Sequence, residues 1–382
     1  MILKAQQANC SIFMLTDEFQ AVNCSPDIQV RSRFIELDGL RGLAAFSVFL
    51  GHSIGLMKGT EALDALSSSP LHILWDGAGA VDLFFVLSGF VLALPFVRKV
   101  ENPKYLQFCI RRAFRLYPAF WLALVLSLAF RAWGYNPSGM EALSDWSRSM
   151  WTSNVTPELF LRSVPLLLGV DSRQIDPVAW TLIIEMRMSL VLPVIIVALN
   201  YSRGVLFDLA IFLLCLVLGN VVNALSYLPL FAIGAVLAKH HAALSMGLSD
   251  LKFSWWIGIL CVGILLYGNR WIIPELSFFQ QNIGSGFGST IIILCSLTSP
   301  FLSGAFSNPV LHFMGYTSYS FYLLHLPLMM FVTSHLFPLT NSTFLCSVVV
   351  LAIAYLLAYF AFRFVEQPMN KLGRDVTINF TK

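Results

Sequence analysis

The sequence predicts an all-α polytopic membrane protein, a single bundle of about ten transmembrane helices. Three observations carry that prediction. Of the 382 residues, 57% are hydrophobic and 12% are charged, and the mean hydropathy is +0.74. Soluble domains carry roughly 25% charged residues, and half that density cannot cover a surface exposed to water. Apolar stretches near the length of roughly 20 residues that a membrane helix needs recur along the whole chain. Finally, lysine and arginine distribute unevenly between the two sides of the bundle those stretches would build.

In chain order, residues 1–33 contain one short apolar run, "CSIFML", followed by acids. That is not a secretory signal, and the segment reads as a cytoplasmic or interfacial arm. The predicted spans then lie at 36–57, 78–97, 114–133, 179–199, 204–222, 226–239, 254–269, 284–302, 314–335 and 343–364. No repeat and no long polar linker divides them, so residues 34–366 form one transmembrane domain, with 367–382 a short cytoplasmic tail. The longest connection, 134–178, is rich in aromatics. With Trp146, Trp151 and Phe160 it reads as an ordered cap on the membrane surface.

With the N-terminus inside, 17 of the 24 lysines and arginines fall on the inner side. Both termini are then cytoplasmic. The net charge of +3 gives no footprint for nucleic acid. The seven cysteines stand singly with no CxxC pair, which predicts neither a disulfide framework nor a metal site.

Ionisable groups inside a membrane segment are costly and mark function by default. In "RFIELDGLRGLAAFSVFLGH" (33–52), Arg33, Glu36, Asp38 and Arg41 stand at the mouth of an apolar run that ends on His52. Arg41 and His52 are eleven residues apart, roughly 16 Å along a helix and nearly on one face. His52 is a candidate base, with a hydrogen-bonded packing histidine as the competing reading. In "GAGAVDLFFVLSGFVLALPF" (77–96), Asp82 enters the next span and Ser88-Gly89 forms a small-residue notch that reads as close packing. Ser88 has no base nearby in sequence.

"RRAFRLYPAFWLAL" (111–124) clusters Arg111, Arg112 and Arg115 at the predicted start of a helix. Guanidinium forks suit phosphate, and a helix N-terminus favours anions; plain anchoring on the inner side is the alternative. In "VAWTLIIEMRMSLVLP" (178–193), Glu185 and Arg187 lie within an apolar span, and Glu185 is a candidate carboxylate partner for His52. His325 sits among Tyr316, Tyr319 and Tyr322, a stripe that reads as a structural hydrogen-bond network. Glu366 before Pro368 reads as a helix end.

The ordered set "LDGLRGLAA" with a following histidine, "DLFFVLSGF", "RRAFRLYP", "WTLIIE", "YSFYLLHLP" and "VEQP" resembles the acyltransferase-3 family over about residues 33–374. The resemblance implies a bundle of about ten helices and acyl transfer from a coenzyme A thioester to a hydroxyl of a glycan. The expected donor is acyl-CoA, with acetyl-CoA as the default, and no permanently bound cofactor. By position the family's arginine–histidine pair falls on Arg41 and His52, and its arginine motif on Arg112 and Arg115. The expected site is therefore His52, Glu185 and Arg41 for chemistry. Arg41, Arg111, Arg112 and Arg115 would hold the donor, with Asp38, Asp82, Ser88, His325 and Glu366 in support.

Where many relatives read Glu-x-x-Phe-Tyr, this chain has "EMRMS" beside Glu185. Some relatives carry a soluble transferase after the last helix; here about 18 residues follow it, so a second transfer step would fall to a separate periplasmic protein. The family makes a bacterial inner membrane the expected location. The rival reading is a transporter or flippase of a lipid-linked glycan, which could use Glu185, Arg187 and His325 as a proton path.

Overall fold

The computed structural model describes residues 34–379 apart from 153, 155, 167–173 and 203. The N-terminal arm, with Arg33, lies outside the described residues. Long apolar runs fold as helices because lipid offers their backbone no hydrogen bonds, and no strand occurs among the described residues.

The helices are α1 (Ile35–Gly55), α2 (Glu61–Ser67), α3 (Gly77–Val97), α4 (Tyr105–Ala132), α5 (Asp145–Arg148), α6 (Pro157–Ser163), α7 (Ala179–Tyr201), α8 (Val205–Val221), α9 (Leu228–Leu248), α10 (Phe253–Tyr267), α11 (Asn269–Ile272), α12 (Phe278–Thr298), α13 (Pro300–Phe306), α14 (Pro309–Thr340), α15 (Thr343–Ala361) and α16 (Gln367–Asn379). Their starts are written locally. Asp76 caps α3 by accepting from the Gly79 N–H at 2.9 Å, and Ser277 with Gln280 forms a capping box on α12.

Each of the ten predicted stretches falls on a helix. Six described helices are long and apolar enough to cross a membrane, or seven if α12 and α13, bent by 95°, count as one span. The predicted count of about ten is not reached by that measure. α1 carries Glu36, Asp38, Arg41 and His52 and is too polar; α8 and α10 are apolar but have only 17 and 15 residues. The chain is a multi-pass α-helical membrane protein.

Two glycine contacts set the core. A methyl group on Gly89 would strike the Phe231 carbonyl, and one on Gly234 the Val86 carbonyl, so α3 and α9 touch backbone to backbone. Gly89 thus packs, as its notch suggested. α1 lies along α14 in the same way: a methyl on Gly42 would stand 2.8 Å from the Gly315 nitrogen, and one on Gly315 would strike the Asp38 carbonyl.

Three boundaries differ from expectation. α4 begins at Tyr105 rather than near 114, so Arg111, Arg112 and Arg115 stand well inside the helix, beyond the first turn where the dipole acts. α9 runs on through Lys239, His240 and His241, because Lys239 is anchored by the Leu199 carbonyl at 2.7 Å and by Asp208 at 2.8 Å. Glu366 ends no helix. A π-turn at Phe362–Glu366 carries α15 into α16, which packs against α4; a methyl on Gly373 would lie 2.6 Å from Phe114.

Candidate active site

The Gly42–Gly315 contact determines what happens deeper in the bundle. Ten residues beyond each glycine, α1 presents His52 and α14 presents His325. Because the two helices run in step, the imidazoles meet: His52 Nδ1 lies 2.8 Å from His325 Nε2, with the rings stacked 5.1 Å apart. His325 is wholly buried, and its Nδ1 is 3.2 Å from the Phe321 carbonyl.

These contacts assign the protons of the neutral pair. A carbonyl only accepts, so His325 Nδ1 carries hydrogen and its Nε2 must accept. His52 Nδ1 is then the donor, which leaves the lone pair on His52 Nε2. His52 lines a cavity of about 570 Å³ with Val48, Val81, Trp146, Trp180 and Tyr322. Trp146 stacks on the His52 ring at 5.4 Å. Elsewhere in the cap Trp151 is buried and its indole N–H donates to the Ile175 carbonyl at 2.9 Å. On the polar wall stands Tyr322, whose hydroxyl accepts from Thr181 at 3.0 Å.

The expected Glu185–His52 pair does not form. Glu185 instead binds Arg112 at 2.6 Å, whose Nε donates to Ser189 at 3.2 Å, and Ser88 donates to Glu185 at 3.4 Å. The carboxylate is taken up by α4, so the partner of His52 is a second histidine. Arg115 pairs with Glu366, which also accepts from Ser320, and its guanidinium lies 5.0 Å over the Tyr319 ring. Arg111 donates to Thr377 at 2.8 Å. Each of the three arginines therefore has its own partner: Thr377 for Arg111, Glu185 for Arg112 and Glu366 for Arg115. Arg41 stands 3.6 Å from Asp38, which is also 3.6 Å from His312. Asp82 is buried against Arg270 at 2.6 Å.

Sequence reading missed three things: His325 as the partner of His52, Trp146 as its cover, and Arg270 as the partner of Asp82. The first had a signal, the equal ten-residue offset from Gly42 to His52 and from Gly315 to His325. The other two had none.

A family model for the acyltransferase-3 group, described as an acyltransferase domain, matches residues 34–363. The chain belongs to the acyltransferase-3 family. This acyltransferase is 24% identical over 379 residues to the peptidoglycan O-acetyltransferase of Listeria monocytogenes, a match covering 88% of this chain and 56% of that one. It is 39% identical over 100 residues to protein 2 in the picA locus of Rhizobium radiobacter, covering 26% of this chain and 46% of that one. The chain spans about half the length of the curated relatives it matches. No solved structure matches it.

One carboxyl beside the site carries a pH prediction. Asp176, just before α7, is buried; Oδ1 accepts from the Val178 N–H at 3.2 Å and Oδ2 has no partner. Burial pushes its pKa up to about 7, against the opposing pull of that N–H. A carboxyl raised on folding stabilises fully below its unfolded value near 4, and that contribution is lost as pH rises through 7. Asp176→Asn is expected to melt several degrees above the parent enzyme at pH 8, with the gain shrinking toward pH 5. Thermal unfolding in detergent across pH 5–8 checks it; a pH-independent difference would exclude the carboxyl as its source.

Proposed function

We propose that this acyltransferase moves an acyl group, acetyl in the simplest case, from acyl-CoA to a hydroxyl of a cell-envelope glycan. The observation that carries the proposal is the hydrogen bond from His52 Nδ1 to His325, which leaves His52 Nε2 basic on the wall of a cavity. The name of the Listeria relative supports an O-acetyl product.

In this reading the acceptor hydroxyl enters the cavity and gives its proton to His52 Nε2 as its oxygen attacks the thioester carbonyl. The C–S bond breaks, and the thiolate takes the proton back. General-base assistance of this kind is worth roughly 10² to 10⁴ in rate, and alignment of two bound reactants adds to it. Cytoplasmic acyl-CoA would approach from the arginine side, with Arg111 and Arg41 nearest the chain's inner flank. Arg112 and Arg115 could contact its phosphates only by sharing them with Glu185 and Glu366. Both termini would be cytoplasmic in a bacterial inner membrane.

The test is transfer of label from radiolabelled acetyl-CoA to envelope glycans by the purified protein. Label on the acceptor is expected. Glycan flux across proteoliposomes without labelling would replace the proposal with a transporter. On the donor side, Arg111→Ala is expected to raise the KM for acetyl-CoA about tenfold, the loss of one charge-assisted contact. An unchanged KM would remove Arg111 from the donor site.

A further inference from the structure

The cavity beside His52 is walled by neutral groups. Among the described residues that line it none is a lysine, arginine, aspartate or glutamate; its polar side chains are those of His52, Ser149 and Tyr322, with the indoles of Trp146 and Trp180. Its volume of about 570 Å³ falls within the roughly 300–1,000 Å³ of small-molecule sites. Nor is it sealed. His52 is only partly covered, Trp146 is 37% exposed and Trp180 is 40% exposed. The space is open, uncharged and edged by two large aromatic surfaces.

Both indoles are fixed in place, yet neither has its N–H engaged. Trp146 sits on α5, whose cap Ser144 donates its N–H to the Leu56 carbonyl at 3.1 Å and accepts from the Ser147 N–H at 3.2 Å. That docking sets the Trp146 ring at the end of α1, stacked 5.4 Å from His52 and beside Gly55, where a methyl would stand 3.2 Å from it. Trp180 opens α7 and leans on Tyr227, ring to ring, at 6.4 Å. Trp121 and Trp151 donate to the Val164 and Ile175 carbonyls. Among the described residues Trp146 Nε1 and Trp180 Nε1 have no acceptor. Tryptophans at a membrane interface commonly serve as anchors; these two flank a base.

Those features select a ligand class. The face of an indole is electron-rich and attracts the weakly positive C–H bonds of a saturated ring. A pyranose presents such a face and carries hydroxyls on its rim, where an indole N–H and the imidazole can meet them. A uronate or a sugar phosphate would enter without a counter-ion, and burying an unpaired charge is costly. The phosphates of CoA are disfavoured there on the same ground. We propose that Trp146 and Trp180 form the acceptor platform, seating the C–H face of an uncharged pyranose so that one hydroxyl reaches His52 Nε2. This names the acceptor class of the proposed function and rests on that reading.

The experiment measures saccharide binding by titration calorimetry, and acceptor and donor KM by label transfer, on the full-length protein in detergent. The probes are the neutral trisaccharides of N-acetylglucosamine and of glucose, and the anionic trigalacturonate. The parent is expected to bind a neutral trisaccharide at least about tenfold more tightly than trigalacturonate. Trp146→Leu and Trp180→Leu keep apolar bulk and remove the π face. Each is expected to weaken neutral trisaccharide binding, and to raise acceptor KM relative to donor KM, by about tenfold, the upper end of what one aromatic contact contributes. Trp146→Phe and Trp180→Phe restore a π face and should recover most of both. Failure of the parent to bind either neutral trisaccharide, equal binding of the anion, or donor and acceptor KM moving together in the leucine variants would overturn the platform; label transfer to envelope glycans would still leave the proposed function standing. Neutral binding that is lost in the leucine variants of a protein that transfers no label would support the platform and overturn the proposed function.

Discussion

His52→Ala is expected to reduce acyl transfer by at least about 10²-fold, the lower end of what a positioned base contributes, with the protein still inserted and folded. The substitution leaves His325 Nε2 as a buried acceptor without its donor, which costs roughly 1–3 kcal/mol. Rates should therefore be compared per folded molecule, by thermal unfolding alongside turnover. Replacing the partner separates positioning from chemistry. His325→Gln keeps an acceptor for His52 Nδ1–H and should retain part of the rate, whereas His325→Phe removes the acceptor and frees His52 to adopt the other tautomer. An active, well-expressed His52→Ala would take this imidazole out of the mechanism, and equal activities for the two His325 variants would reduce His325 to packing.

The largest stability effect is expected at Arg115. Its partner Glu366 is 2% exposed and accepts also from Ser320. Arg115→Met strands that buried carboxylate between α4, α14 and the π-turn; with the Arg115 side chain itself 35% exposed, the cost is that of one unsatisfied buried group, about 1–3 kcal/mol. Arg115→Met with Glu366→Met should recover most of the loss, because replacing a whole buried pair with apolar groups is often neutral. Melting temperatures of the two variants in detergent decide the matter. A single variant as stable as the parent, or a double as unstable as the single, would show that the pair contributes nothing to holding these helices together.

The α-helical membrane fold was legible in the sequence because burial in lipid is a property of composition and run length. His52 was legible for the same reason: a titratable ring at the end of an apolar run is conspicuous. Its partner was not. Glu185 was the obvious carboxylate, yet pairing across helices depends on rotation and depth, and Arg112 on α4 reaches Glu185 first. Arg112 and Arg115 were read as cations at a helix start, whereas α4 begins at Tyr105, and their counter-ions, Glu185 and Glu366, come from 73 and 251 residues away. Arg270 lies just past the predicted span 254–269, and only the short helix α11 brings it to Asp82. Helix ends failed wherever a side-chain contact extends the helix past its apolar run, as Lys239 does for α9.

The meeting of two neutral rings has a consequence for how the catalyst resets between cycles. Among the described residues no acid is bonded to either His52 or His325, so nothing nearby compensates a cation formed there. In the proposed transfer from a thioester, the departing sulfur would be the strongest available taker, and returning the hydrogen to it would restore the ring as the thiol leaves. Each such cycle would close on itself, with no net exchange of protons with the bulk on either side of the membrane.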